Sequence, residues 1–227
     1  MLAIVDFDPE ASALDLLTRF VRAEEFPCVG AKSALANNAL SFIEARDITS
    51  AWNDLSITHA LLDWSANYQT DPTGLRSIAV VFDGPRDLDE QQFENALWSR
   101  LQSIADKDVW FGQQPDPRVS GDPEDAHFSL TIGGQAYFVV GLHPHASRPA
   151  RRFQRPALVF NLHDQFERLR SEGRYDRMRN VIMKRDKALA GSINPMLAAH
   201  GERSAARQFS GRAVDDKWRC PFLDPRA

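Results

Sequence analysis

Five successive apolar residues, Ile78-Ala79-Val80-Val81-Phe82, run without alternation and stop at Asp83-Gly84-Pro85. A strand with no polar face must be covered on both sides, and the Gly-Pro step ends it in a turn, so this run predicts a buried central strand. A hairpin follows further on: His127 to Ile132, a Gly133-Gly134 turn, then Gln135 to Leu142. Phe128, Leu130 and Ile132 alternate, giving the first arm one buried face, whereas Tyr137-Phe138-Val139-Val140 reads as buried on both sides. Ala157-Leu158-Val159-Phe160 supplies a further strand. These strands predict a largely antiparallel sheet covered by helices, an α+β domain spanning residues 1–227, with the strand order left open.

The covering helices are read from apolar spacing. Pro9 to Ala23 carries Ala13, Leu16, Leu17 and Phe20, and Ala51 to Tyr68 carries Trp52, Leu55, Leu61, Leu62 and Trp64. Asp89 to Asp106 carries Phe93, Leu97, Leu101 and Ile104, with Trp98 expected in the core. A helix is also predicted from Val29 to about Phe42, with Asn37 and Asn38 in its middle facing solvent or a ligand. His163 to Leu169 forms another with Asn161 as its N-cap, and Gly173 to Ala190 is a charged, solvated helix. Lys107 to Asp125 is a Pro-, Gly- and Asp-rich loop, long enough to need cover or a function.

The composition narrows the function. Hydrophobic residues at 43% and charged residues at 26% are those of a soluble globular chain rather than a disordered one. A net charge of −4 provides no general attraction to nucleic acid or an anionic membrane. No apolar run approaches a membrane span, and Asp6 and Asp8 stand where a signal peptide would be basic, so we expect a cytoplasmic protein. In that reducing compartment Cys28 and Cys220 are expected to stay unbridged, and neither has the Cys-x-x-Cys partner of a zinc site.

Three constellations carry chemistry. In Glu25-Phe26-Pro27-Cys28-Val29-Gly30 a cysteine sits at the start of a helix, where free N–H groups and the dipole would lower its pKa and favour a thiolate metal ligand. The spacing of Cys28, Gly30 and Ala34 is similar to the cysteine-ligand segment of haem-thiolate monooxygenases, though a free cysteine is also an ordinary core residue. Second, the strand ending at Leu142 delivers His143 and His145 to the loop at its end, and only one of the two is expected to face a given pocket. Third, Arg148, Arg151, Arg152 and Arg155 have guanidinium groups that could clamp haem carboxylates, grip nucleic-acid phosphates, or pair with Asp122, Glu124 or Asp125. No phosphate loop, Ser-His-Asp order or His-Glu-x-x-His pattern is present.

Taken together, Phe26-Pro27-Cys28-Val29-Gly30-Ala31-Lys32, Val140-Gly141-Leu142-His143-Pro144, Ser147-Arg148-Pro149-Ala150-Arg151-Arg152-Phe153, Phe160 to Glu167 and Trp218-Arg219-Cys220-Pro221-Phe222 resemble the YqcI/YcgG family. The resemblance runs in order from about Phe26 to Phe222, nearly the whole chain. Within the family it is most similar to the branch containing the haem-dependent N-hydroxylase of guanitoxin biosynthesis. It implies a haem b (iron) monooxygenase that hydroxylates an N–H bond of a small guanidine or amine, using dioxygen with an electron donor, or peroxide. It also implies Cys28 as axial ligand, with His143 as the rival and Cys220 third, and Arg148 with Arg151 or Arg152 on the haem propionates. No nucleic-acid or membrane partner is expected, and a homodimer is one admissible assembly. The alternative is a non-catalytic haem-binding sensor or carrier, which would use the same residues. A guanidine substrate would call for carboxylates or carbonyls in the pocket wall, and the sequence does not single out which.

Overall fold

The computed structural model describes residues 11–196 and 202–226. The readings placed on Met1 to Glu10, on Leu197 and on the start of the Gly201 to Ser210 segment lie outside them. Two helices, α1 (Ala13–Arg22) and α2 (Val29–Ala36), precede strand β1 (Leu40–Asp47). A short 3₁₀ turn leads into α3 (Asp54–Thr70), then β2 (Ser77–Gly84) and α4 (Glu90–Trp110). The hairpin follows as β3 (Leu130–Ile132) and β4 (Gln135–Leu142), then β5 (Ala157–Leu162), α5 (His163–Ser171), α6 (Tyr175–Ala190) and the short α7 (Ala206–Phe209). Among the described residues no helix is long and apolar enough to cross a membrane.

The strands form one sheet in the order β1-β2-β5-β4-β3. Only β1 and β2 are parallel, as their connection through α3 requires, and the other neighbours are antiparallel. The expected α+β architecture is therefore present, and β2 is buried from Ser77 to Phe82. Its residues divide by the period of two: Ile78, Val80 and Phe82 join the core under α3, α4 and α7, while Ala79 and Val81 join the core under α1 and α2. The hairpin turns on Gly133 (φ +58°) and Gly134 (φ +69°), the pair of positive φ angles that a two-residue turn of this hand needs. Trp98 is 3% exposed and stacks on Phe209, with Trp218 and Phe222 of the C-terminal tail against its other edges.

Three local expectations are corrected. The helix expected to reach Phe42 stops at Ala36, and Leu40–Asp47 is a fifth strand. The stop is made by the two asparagines: the Asn37 side chain donates to the Ser33 carbonyl at 2.8 Å, and Asn38 takes the left-handed conformation (φ +54°) that ends helices. Second, Asn161 is not a helix cap. It lies within β5, where its side-chain oxygen accepts from Ser77 Oγ at 2.7 Å, and Leu162 occupies the cap position. Third, the first hairpin arm is regular only from Leu130, because Phe128 is drawn into an isolated bridge with Ser120.

Candidate functional site

Strand β4 projects Tyr137 and Val139 toward α4, and the alternation carries on through Gly141 to His143 just past its end. The His143 N–H donates to the Arg151 carbonyl at 3.1 Å, which folds the 143–151 loop back over the strand end. Its imidazole is 1% exposed and stacks on Phe93 of α4, with ring centroids 4.3 Å apart and planes 16° from parallel. Nδ1 has no hydrogen-bond partner. Burial draws its pKa down to about 4, with His145 and Arg151 adding to the effect and Glu90 and Asp89 opposing it. A neutral, unpartnered, buried imidazole is what a metal or a ligand proton can use. His145, two residues on, is exposed; alternation alone would leave it on the same side as His143, and it is the turn closed by the Ala146 N–H donating to the His143 carbonyl at 3.3 Å that separates the two rings.

Unfolded His143 takes up a proton near 6.5, whereas the folded ring resists until about 4. The folded state is therefore undiminished above pH 6.5 and loses stability as pH falls from 6.5 to 4, by about 3 kcal/mol at most for that interval. His143→Gln should flatten this part of the acid limb in urea midpoints measured from pH 7 to pH 4. An equally steep limb in the variant would show that the histidine does not cause it.

Past the end of β4 lies a cleft of about 510 Å³ lined by Asp87, Asp89, Glu90, Gln91, His145 and Arg212; the buried His143 ring is not part of its wall. Its acidic wall is the start of α4. The Asp89 side chain caps the helix, accepting from the Gln92 N–H at 2.7 Å, while Gln92 accepts in return from the Asp89 N–H at 3.0 Å. Glu90 accepts the Ser147 N–H at 3.0 Å, which ties the helix start to the histidine loop. Arg212 is held by buried Glu94 at 2.5 Å, and Ser210 donates to the same carboxylate at 2.9 Å. Sequence reasoning did not find this wall. The available signal was three carboxylates, Asp87, Asp89 and Glu90, packed into the turn that follows a buried strand, which is where binding loops are carried.

The arginines are turned inward. Arg151 donates to the carbonyls of Gln208 at 2.7 Å, Phe209 at 2.9 Å and Gly141 at 3.2 Å, and its chain lies over Gly211, whose φ of +88° suits only glycine there. Arg152 donates to the carbonyls of Ala146 and Ser147. Arg148 pairs with Asp186 of α6 and donates to Ser192 Oγ at 3.0 Å, and Arg155 pairs with Asp83 at 2.9 Å, so their carboxylates are not those of residues 122–125. These guanidinium groups knit the 143–155 loop to α6, α7 and β2.

Cys28 is on the other side of the sheet. It is the N-cap of α2, its Sγ accepting from the Ala31 N–H at 3.4 Å and lying with Leu75 and the Met178 thioether around Gly30. The helix-start N–H groups of Ala31 and Gly30 do favour the thiolate, but burial outweighs them and pushes the thiol pKa up. The expectation of a lowered pKa is thus corrected: desolvation of the anion is the larger effect. Cys220 is also a free thiol, pushed up to about 12 mainly by burial, and it packs with the tail against the α3/α4 core. The sheet therefore lies between Cys28 and both His143 and Cys220, so Cys28 and His143 cannot hold the same iron.

No curated protein and no solved structure matches the chain. The family model described as YqcI/YcgG matches residues 17–223, a span that contains the sheet, the histidine loop, the acidic cleft and the C-terminal tail, and the chain belongs to the YqcI/YcgG family.

Proposed function

We propose that this protein is a haem-dependent N-hydroxylase of a small guanidino or amino compound, with its site at the His143 end of β4. The observation that carries the reading is a buried, neutral imidazole with an unpartnered Nδ1 at His143, two residues before His145, which lines a cleft walled by Asp87, Asp89 and Glu90. Of the residues that a haem would require, His143 fits as iron ligand: its ring orientation is set by the Phe93 stack, and its free nitrogen needs no proton removed. Arg148, Arg151 and Arg152 do not fit as propionate clamps, since each guanidinium is bound to this chain's own oxygens. The raised pKa of Cys28 makes it the weaker ligand.

A haem held by His143 would supply the oxidising power to place one oxygen atom of dioxygen in an N–H bond, with the other atom released as water at the expense of two electrons and two protons from a donor, or with peroxide in place of dioxygen and donor. The chain's part is to bind and orient the substrate. A guanidinium or ammonium group entering the cleft would meet carboxylates, and charge-assisted hydrogen bonds of this kind contribute about 1.5–3 kcal/mol each.

Absorption spectra of haem-supplied protein, reduced and exposed to carbon monoxide, test this reading. We expect uptake with an imidazole-type Soret band, retained in Cys28→Ser and lost in His143→Ala. Guanidines should perturb that band, and Asp89→Asn, which keeps the helix cap, should weaken their binding by about tenfold or more. No haem uptake overturns the proposal, and a red-shifted band lost in Cys28→Ser would move the ligand to Cys28. Uptake without any response to guanidines or amines would favour a non-catalytic haem carrier.

A further inference from the structure

Ser129, His163 and Glu167 meet in a hydrogen-bonded row. Ser129 stands just before β3, its N–H donating to the Ser120 carbonyl at 3.2 Å. His163 opens α5, and Glu167 lies one turn further along the same face. The Ser129 hydroxyl is 3.3 Å from His163 Nδ1, and His163 Nε2 is 3.0 Å from a Glu167 oxygen that Arg170 also grips. A carboxylate only accepts, so in the neutral ring Nε2 carries the hydrogen and Nδ1 turns its lone pair to the Ser129 O–H. Nδ1 is the nitrogen on the backbone side of the ring, which places the hydroxyl near the first turn of α5, whose N–H groups have no side-chain cap. A hydroxyl, a base and a third group that orients the base make an activated nucleophile. Here the carboxylate holds Nε2 and leaves Nδ1 as the base.

We propose that Ser129 is a second reactive site of this protein, a nucleophile toward small activated esters, with His163 as its base and Glu167 positioning the ring. The Ser129 oxygen attacks the ester carbonyl carbon, and its proton passes to His163 Nδ1. The ester C–O bond then breaks, and the departing alcohol takes that proton. Water repeats the sequence on the acylated serine, which releases the acid and restores the hydroxyl. The uncapped N–H groups of α5 are donors at hand for the developing oxyanion. Burial sets the size of the acyl group: Ser129 is 3% exposed, whereas the His163 and Glu167 side chains are 19% and 45% exposed, so the reacting end of the row is its inner end. Tyr137 pairs with Leu162 and Leu142 with Ala157, so the row lies at the opposite end of β4 from His143. The inference is independent of the haem reading.

The test treats the full chain, without added haem, with methanesulfonyl fluoride, a small reagent that sulfonylates activated serines with loss of fluoride. Peptide mass mapping should find the label on Ser129, and cleavage of p-nitrophenyl acetate should stop as the label is attached. His163→Gln should slow both reactions by about a hundredfold or more. Glu167→Gln should slow both by about tenfold or more, because an amide there can donate to Nε2 and reverse the tautomer. The His163 ring nitrogen shifts should report that reversal. An unlabelled wild type, a label on another residue, or an unchanged labelling rate in either folded variant overturns the proposal. If the variants do not fold, the mapping on the wild type decides by itself.

Discussion

Arg100→Met alone is expected to destabilise the fold by about 3–5 kcal/mol, and the double replacement Asp54→Leu/Arg100→Met to recover most of that loss. Asp54 is 0% exposed and Arg100 6%, between α3 and α4. Among the described residues their only charge contact is a single Nη1 to Oδ2 approach of 3.3 Å, and neither Asp54 oxygen accepts a hydrogen bond there. Two charges held this way balance each other's desolvation but gain little more. Removing the arginine strands a fully buried carboxylate, whereas removing both lets methyl groups take their place. Urea midpoints of wild type, both single variants and the double variant close the cycle. A cost below about 1 kcal/mol for Arg100→Met would mean that water reaches the pair.

Gly141→Ala should cost about 1–3 kcal/mol, with the damage reaching the candidate site. A Cβ at this position would stand 2.7 Å from both Leu97 Cδ1 and Phe93 Cε1, and 3.0 Å from the Phe209 carbonyl oxygen. The two side chains can shift by rotation, but the carbonyl is fixed by the Arg151 guanidinium that donates to it at 2.9 Å. Phe93 is also the ring on which His143 stacks, so moving it disturbs the imidazole. The urea midpoint should fall with its slope unchanged, and the His143 ring resonances should shift. Adding Leu97→Val, which returns space at one contact, should recover part of the loss; no recovery would place the strain at the carbonyl instead.

Strand β2 was legible because five apolar residues in a row permit no exposed face, and the β3/β4 turn because two adjacent glycines suit positive φ angles. Strand β1 was not, because Leu40 to Asp47 mixes half-buried and charged positions and follows a helix whose stop depends on one asparagine in the left-handed region. Of the site, His143 was legible as a residue delivered by a strand end. Its acidic neighbours were not, since Asp87, Asp89 and Glu90 precede it by more than fifty residues and reach it only because α4 packs across β4.

Local sequence by itself determined the helices, the buried central strand, the tight hairpin and the family, because periodicity, turn residues and motifs act over a few positions. The sheet order was decided only in three dimensions, along with the inward engagement of the arginines and the separation of Cys28 from His143. The physical reason is desolvation. Whether a thiol is ionised, an imidazole neutral or a guanidinium free to bind a ligand depends on what the rest of the chain packs against it. The same Arg151 that could have faced a ligand spends its donors on the Gln208, Phe209 and Gly141 carbonyls that the fold would otherwise leave short of partners.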